Sequence, residues 1–199
     1  MTDAHTVESD VTRLVATVDS CLKGYYPRVY GSEYEGTLHG PPSAPGLSRF
    51  LQEEGSQFPA SYITFLKHHN GWSGYLSGFT LIGVDGAHTI EARRDIDETI
   101  EIIADTWSGE RGRQVAEQLV DQPPECPEEG PEVSRMIPFG TDFNGALLLF
   151  DTRTRRSDGE MEVLLYDTSG PSKRFSGFIE MLEKDSEEVC QEGKEPDER

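Results

Sequence analysis

His68 and His69 are the first residues along the chain that could do chemistry as a pair. Adjacent residues on a helix point to different faces, which is poor geometry for a shared metal ion. No Cys or His stands at zinc-type spacing from them, so they read as helix-end histidines near the negative pole of the dipole. Asp142-Phe143-Asn144-Gly145 begins like a calcium loop, but Ala146 and Leu147 stand where further oxygen ligands are needed. A turn entering a strand is the better reading. Gly71-Trp72-Ser73-Gly74-Tyr75 starts like a nucleophile elbow and ends in the wrong residue. The chain has neither a P-loop nor a Gly-x-Gly-x-x-Gly phosphate cradle. With 37 acids some carboxylate pair falls within glycosidase reach by number alone, which leaves a hydrolase as a distant third reading. The expectation is a chain that is not an enzyme and holds no metal or cofactor.

Charge points to a partner instead. Lys and Arg number 18 against 37 Asp and Glu, for a net charge of -19 over 199 residues. Such a chain repels nucleic acid and anionic membrane, and its acidity either favours basic proteins or serves solubility alone. No stretch is apolar enough to cross a membrane. The opening Met1-Thr2-Asp3-Ala4-His5 has neither the basic nor the apolar region of a secretory signal. Cys21, Cys126 and Cys190 are odd in number and far apart, so free thiols in a reducing cytoplasm are expected.

Whatever binds must be positioned by the elements around it. Val7, Val11, Leu14, Val15, Val18 and Leu22 recur at helical spacing, and a Gly-, Pro- and Tyr-rich loop follows over 24–45. A second helix starts near Pro45 and stops at Gly55. A third opens at Pro59, buries Tyr62, Phe65 and Leu66, and ends at Asn70-Gly71. Phe79–Val84 reads as a strand, Thr89–Trp107 as a long helix and Ser108–Val120 as a shorter one, before a Pro-rich acidic loop over 121–132. Ile137–Phe139, Ala146–Phe150 and Val163–Tyr166 are strands, the last two apolar throughout and so covered on both faces. Ser157-Asp158-Gly159 supplies the turn between them. Phe175, Phe178, Ile179 and Leu182 mark a closing helix. Helices, then antiparallel strands, then a helix give an α+β fold with a mainly antiparallel sheet. One domain is expected over 1–189, with an acidic flexible tail over 190–199.

The long helix carries the clearest surface signal. Ile96, Ile100, Ile103 and Trp107 form one stripe, and Asp95, Glu98, Glu101 and Asp105 cluster opposite it. Like charges at these spacings cost ~0.2–0.5 kcal/mol each. The unmixed face fits a partner-binding surface and also fits a plain solvated face. Trp72 and Tyr75, on a glycine-rich stretch beyond Asn70-Gly71, are either apolar anchors for that partner or lids folded onto the core.

Three segments in order resemble the SUKH superfamily, which includes fungal cell-wall-synthesis regulators and many bacterial immunity proteins. The first is Phe58 to Gly71, where Pro59, Tyr62, Phe65, Leu66, Asn70 and Gly71 match the signature, Phe58 replaces the usual Leu, and Trp72 replaces a second Gly. The second is the short apolar strand Phe79 to Gly83. The third is Ile137 to Asp151, with Gly140, Asp142, Gly145 and Asp151 in place and Ala146 where an acid or polar residue is common. The resemblance covers about 47–182. It implies a sheet with helices packed on it that binds a protein without catalysis. In bacteria that partner is often a toxin delivered between neighbouring cells; the alternative is a regulatory scaffold of the cell-wall or signalling type.

Overall fold

The computed structural model describes residues 4–107, 130–167 and 172–192. Five α-helices stand among them: α1 Ala4–Val29, α2 Ala44–Glu53, α3 Ala60–His68, α4 Ala87–Trp107 and α5 Phe178–Glu192. Seven strands form one sheet: β1 Thr37–Leu38, β2 Trp72–Ser73, β3 Thr80–Leu81, β4 Ile137–Thr141, β5 Leu147–Phe150, β6 Val163–Tyr166 and β7 Lys173–Phe175. They lie in sequence order, each antiparallel to the next. The expected α+β architecture with an antiparallel sheet is therefore what the chain adopts.

The two faces of the sheet carry different helices. Phe139 stacks on Phe150 at 4.0 Å, and Tyr62 of α3 and Phe178 of α5 complete that aromatic cluster. α1 packs on α3 and α5 above it. Leu147 follows the opposite pleat from Phe150, and its cross-strand partner Thr141 donates its hydroxyl to Asp95 of α4 on the other face. β5 is buried along its whole length, as its unbroken apolar run requires.

Local chemistry sets the helix ends. Ser43 caps α2 by accepting from the Gly46 amide at 3.2 Å, with Pro45 in the first turn. α3 starts after Pro59, which has no side chain to cap it. Glu160, brought across by the β5–β6 hairpin, accepts from the Ser61 amide at 2.8 Å and from its hydroxyl at 2.6 Å. A buried carboxylate at a helix N-terminus satisfies both the orphan donors and the dipole.

Five expectations need correction. α1 runs through Gly24 and Pro27 to Val29 rather than ending near Leu22, because Tyr25 is buried and its ring meets Tyr26 and Tyr30; tertiary burial outweighs breaker propensity. The Phe79–Val84 strand contracts to Thr80–Leu81, and Phe175 belongs to β7 rather than to the closing helix. The tail does not begin at 190: α5 continues to Glu192, and residues 193–199 lie outside the described residues. Cys21 and Cys190 are not free thiols but a disulfide that fastens α1 to α5, 169 residues apart. Cys126, the helix expected over 108–120 and most of the 121–132 loop lie outside the described residues.

A crosslink closing so long a loop restricts the unfolded chain strongly. Cys21→Ser or reduction is expected to cost about 2–5 kcal/mol, lowering Tm by roughly 5–15 °C. Thiol titration of the denatured, unreduced protein checks the pairing. With three cysteines and one bridge it should find one thiol per chain, and three after reduction. Three thiols before reduction would rule the bridge out.

Candidate protein-binding surface

α4 buries Ala92, Ile96, Thr99 and Ile103 and half-buries Ile100. Its other side presents Glu91, Asp97, Glu98, Glu101 and Asp105 to solvent, with Arg94 the exposed cation among them. Arg93 does not neutralise this face, since it turns to Glu54 at the end of α2, 3.2 Å away. Three of the four acids expected together, Glu98, Glu101 and Asp105, are thus side by side and exposed. Asp95 is not with them. It sits half-buried on the flank and accepts from the Thr141 hydroxyl at 2.5 Å, tying α4 to the sheet.

Trp72 and Tyr75 are not surface anchors. Trp72 is fully buried and donates its indole N–H to the Tyr34 hydroxyl at 2.8 Å. Tyr75 is buried 4.9 Å from it, ring to ring, and its hydroxyl donates to Asp185 of α5 at 2.5 Å. Both are lids on the core. Burial raises the Tyr75 phenol well above its ordinary range, and the nearby Asp185 carboxylate adds to this.

The exposed apolar side chains are others. Ile90 and Ile102 of α4 are 70% and 66% exposed, and Phe143 is 42% exposed. Phe143 adopts a left-handed backbone, φ 59°, in the loop between β4 and β5. That conformation costs a bulky residue roughly 1–2 kcal/mol and clusters at functional sites. Asp142 builds the loop by accepting from the Asn144 and Ala146 amides at 2.8 and 2.9 Å. The held-out ring lines a cleft of about 270 Å³ with Glu91 and His88 of α4, and with Ser73 and Thr80. Sequence reasoning missed Phe143 because it was weighed only as part of a turn, and Ile90 and Ile102 because they fall off the stripe.

Asn70-Gly71 is the joint that holds this surface to the rest of the chain. The Asn70 side-chain oxygen accepts from the Val84 and Asp85 amides at 2.8 and 3.2 Å, and its nitrogen donates to Asp85. His88 donates to the Asn70 carbonyl at 2.6 Å and stacks on His39 with centroids 3.8 Å apart. Gly71, at φ +86°, passes so close to β3 that a Cβ would lie 2.6 Å from the Leu81 carbonyl oxygen. His68 is exposed, 3.3 Å from Glu8, and His69 donates to the His39 carbonyl. Burial holds His39 and His69 below the ordinary imidazole range. No group of three or more potential metal ligands occurs among the described residues.

The other motif residues serve the fold as well. Pro59 precedes the first turn of α3, and Tyr62, Phe65 and Leu66 are core. Gly140 lets Leu148 and Leu81 close over the sheet, and Gly145 turns at φ +100°. Asp151 is buried against Arg153 at 2.7 Å and Arg174 at 3.1 Å, joining the end of β5 to β7.

Residues 41–184 match the SMI1 / KNR4 family (SUKH-1). No curated protein matches the chain. No helix among the described residues is long and apolar enough to cross a membrane.

Two carboxylates should leave opposite marks on the pH dependence of stability. The hydrogen bond from Arg153 is the largest cause holding Asp151 down to about 2. Its stabilisation is complete above the ordinary carboxylate value near 4 and is lost as pH falls towards 2, on the order of 2 kcal/mol. Asp151→Asn should therefore destabilise at pH 7 and lose less stability on acidification than the wild type. Burial pushes Asp185 up to about 6. Its charge opposes folding above that value, so Asp185→Asn should gain stability at pH 8, with the advantage gone by pH 4. Urea unfolding at pH 8, 6, 4 and 3 separates the two.

Proposed function

The chain belongs to the SMI1 / KNR4 family (SUKH-1), and from that premise we propose that it is a non-catalytic immunity protein that binds and occludes a basic toxin. The observation carrying this reading is the exposed acid row Glu98, Glu101 and Asp105 on α4, a helix that also exposes Ile90 and Ile102 and has the strained Phe143 beside Glu91 near its N-terminal end. The single-sign row attracts a cationic surface from a distance and speeds encounter. Apolar side chains that become desolvated on contact then slow dissociation. A toxin that acts on nucleic acid needs Lys and Arg where it meets phosphate, so an acidic face that covers them blocks access to substrate. The reading puts the protein inside the cell it protects. Its bonded cysteines lend that location no support, and cell fractionation checks it.

A photo-crosslinking residue at Glu98, Glu101 or Phe143 should capture one and the same protein in the native cell, and one at Ser20 of α1 should not. Association of that protein should slow at least about tenfold from low to high salt. It should also slow strongly for Glu98→Lys with Glu101→Lys, a folded double variant. Co-expression should relieve the captured protein's toxicity. A captured enzyme or signalling protein without toxicity would make the chain a regulatory scaffold instead. Association indifferent to both salt and charge reversal would reduce the α4 face to a solvated surface.

A further inference from the structure

On the side of the sheet away from α4, a groove of about 730 Å³ opens between α1, α3, α5 and the tip of the β5–β6 hairpin. Three elements supply its apolar floor: Val7 from α1, Ile63 from α3 and Ile179 from α5, each half-buried, above the buried Phe58. These side chains converge on one trough without covering one another. An apolar trough of this size accommodates a few bulky side chains.

Its charges are unequal. Five carboxylates line it against two cations, Lys67 and Arg156. Arg156 is engaged by Asp158 and by the Ser176 carbonyl. Glu160 is engaged by Ser61 and Glu180 by the Ser176 amide, so these two are bound into the fold. Glu183 makes no hydrogen bond or ion pair among the described residues and is exposed on the rim, and Glu8 across the groove, 3.3 Å from His68, is 58% exposed.

We infer that this groove is a second docking site, for a short basic segment of a partner protein. The segment would lay one or two bulky apolar side chains on Val7, Ile63 and Ile179 and set Lys or Arg against Glu183 and Glu8. Complementarity of both kinds favours such a segment: a floor that takes apolar area, and a lining in which five carboxylates stand against two cations. The site is independent of the α4 face, because the sheet lies between them.

A twelve-residue amphipathic leucine–lysine peptide serves as the probe. Methyl NMR on the full chain reads where it binds, and calorimetry reads how tightly. Shifts should concentrate on Val7, Ile63 and Ile179. Glu183→Lys, an exposed substitution that leaves the floor intact, should weaken binding about fivefold or more. Glu98→Lys with Glu101→Lys should leave it unchanged, which separates this site from the α4 face. A leucine–glutamate peptide should bind far more weakly, and oligolysine of equal charge should not shift the floor methyls. The inference is overturned if the acidic peptide binds as well, if oligolysine matches the probe, or if the shifts fall on α4.

Discussion

The phenol of Tyr62 has to find a hydrogen-bond acceptor in the middle of an apolar cluster, and the fold is arranged so that it does. The ring is fully buried among Phe58, Phe65, Phe139, Phe150 and Phe178, and its hydroxyl donates to the Ile82 carbonyl at 2.6 Å. A hydroxyl buried without a partner costs roughly 1–3 kcal/mol. Ile82 follows β3, and the same residue donates its amide to Phe139 of β4. One side chain of α3 therefore fixes the height of the helix above the sheet and the place where β3 ends. That end in turn positions Asn70's contacts with Val84 and Asp85, and through them the start of α4. The candidate surface is thus anchored in the core rather than in its own contacts.

Around this centre, polar residues sit at the junctions between elements. Glu160 caps α3 from ninety-nine residues away, Asp151 joins β5 to β7, and Asp142 shapes the loop that holds out Phe143. The matched family segment, 41–184, contains all three. It omits α1 and the last turns of α5, which are the parts joined by the Cys21–Cys190 bridge. α1 is held twice over, by an apolar stripe from Val11 to Tyr25 on α3 and α5 and by the covalent link.

Legibility in the sequence followed the strength of the local signal. The helices with clear stripes and the apolar strands β5 and β6 could be read directly, because burial on one or both faces dictates their pattern. β1, β2 and β7 have two or three residues each, too few for any period to emerge. The acid row on α4 was legible as three neighbours, but Asp95 was assigned to it on wheel angle alone, and its bond to Thr141 depends on a strand 46 residues away. Trp72 and Tyr75 looked loop-like because glycines surround them. The positive φ of Gly71, Gly74 and Gly78 folds that stretch tightly back onto the core, and sequence cannot give the direction of such a turn.

The same pairing that builds the junctions decides where the field of the protein points. Arg93, Arg153, Arg156 and Arg174 meet Glu54, Asp151, Asp158 and Glu162, and Arg13, Lys23, Arg135 and Lys184 meet acids three or four residues away on their own elements. Apart from those on the buried Asp151, pairs this exposed add little stability. Their electrostatic consequence is larger, because a neutral pair contributes almost nothing beyond a Debye length of about 8 Å. With 18 cations against 37 acids, many carboxylates have no cation to meet. Glu98 and Glu101 on α4 and Glu183 on the groove rim are such groups, exposed and in no ion pair among the described residues. A surplus of acid spread evenly would serve solubility alone. Here local pairing cancels it at the joints and leaves it beside exposed apolar side chains, the combination of attraction and desolvation on which the proposed docking relies.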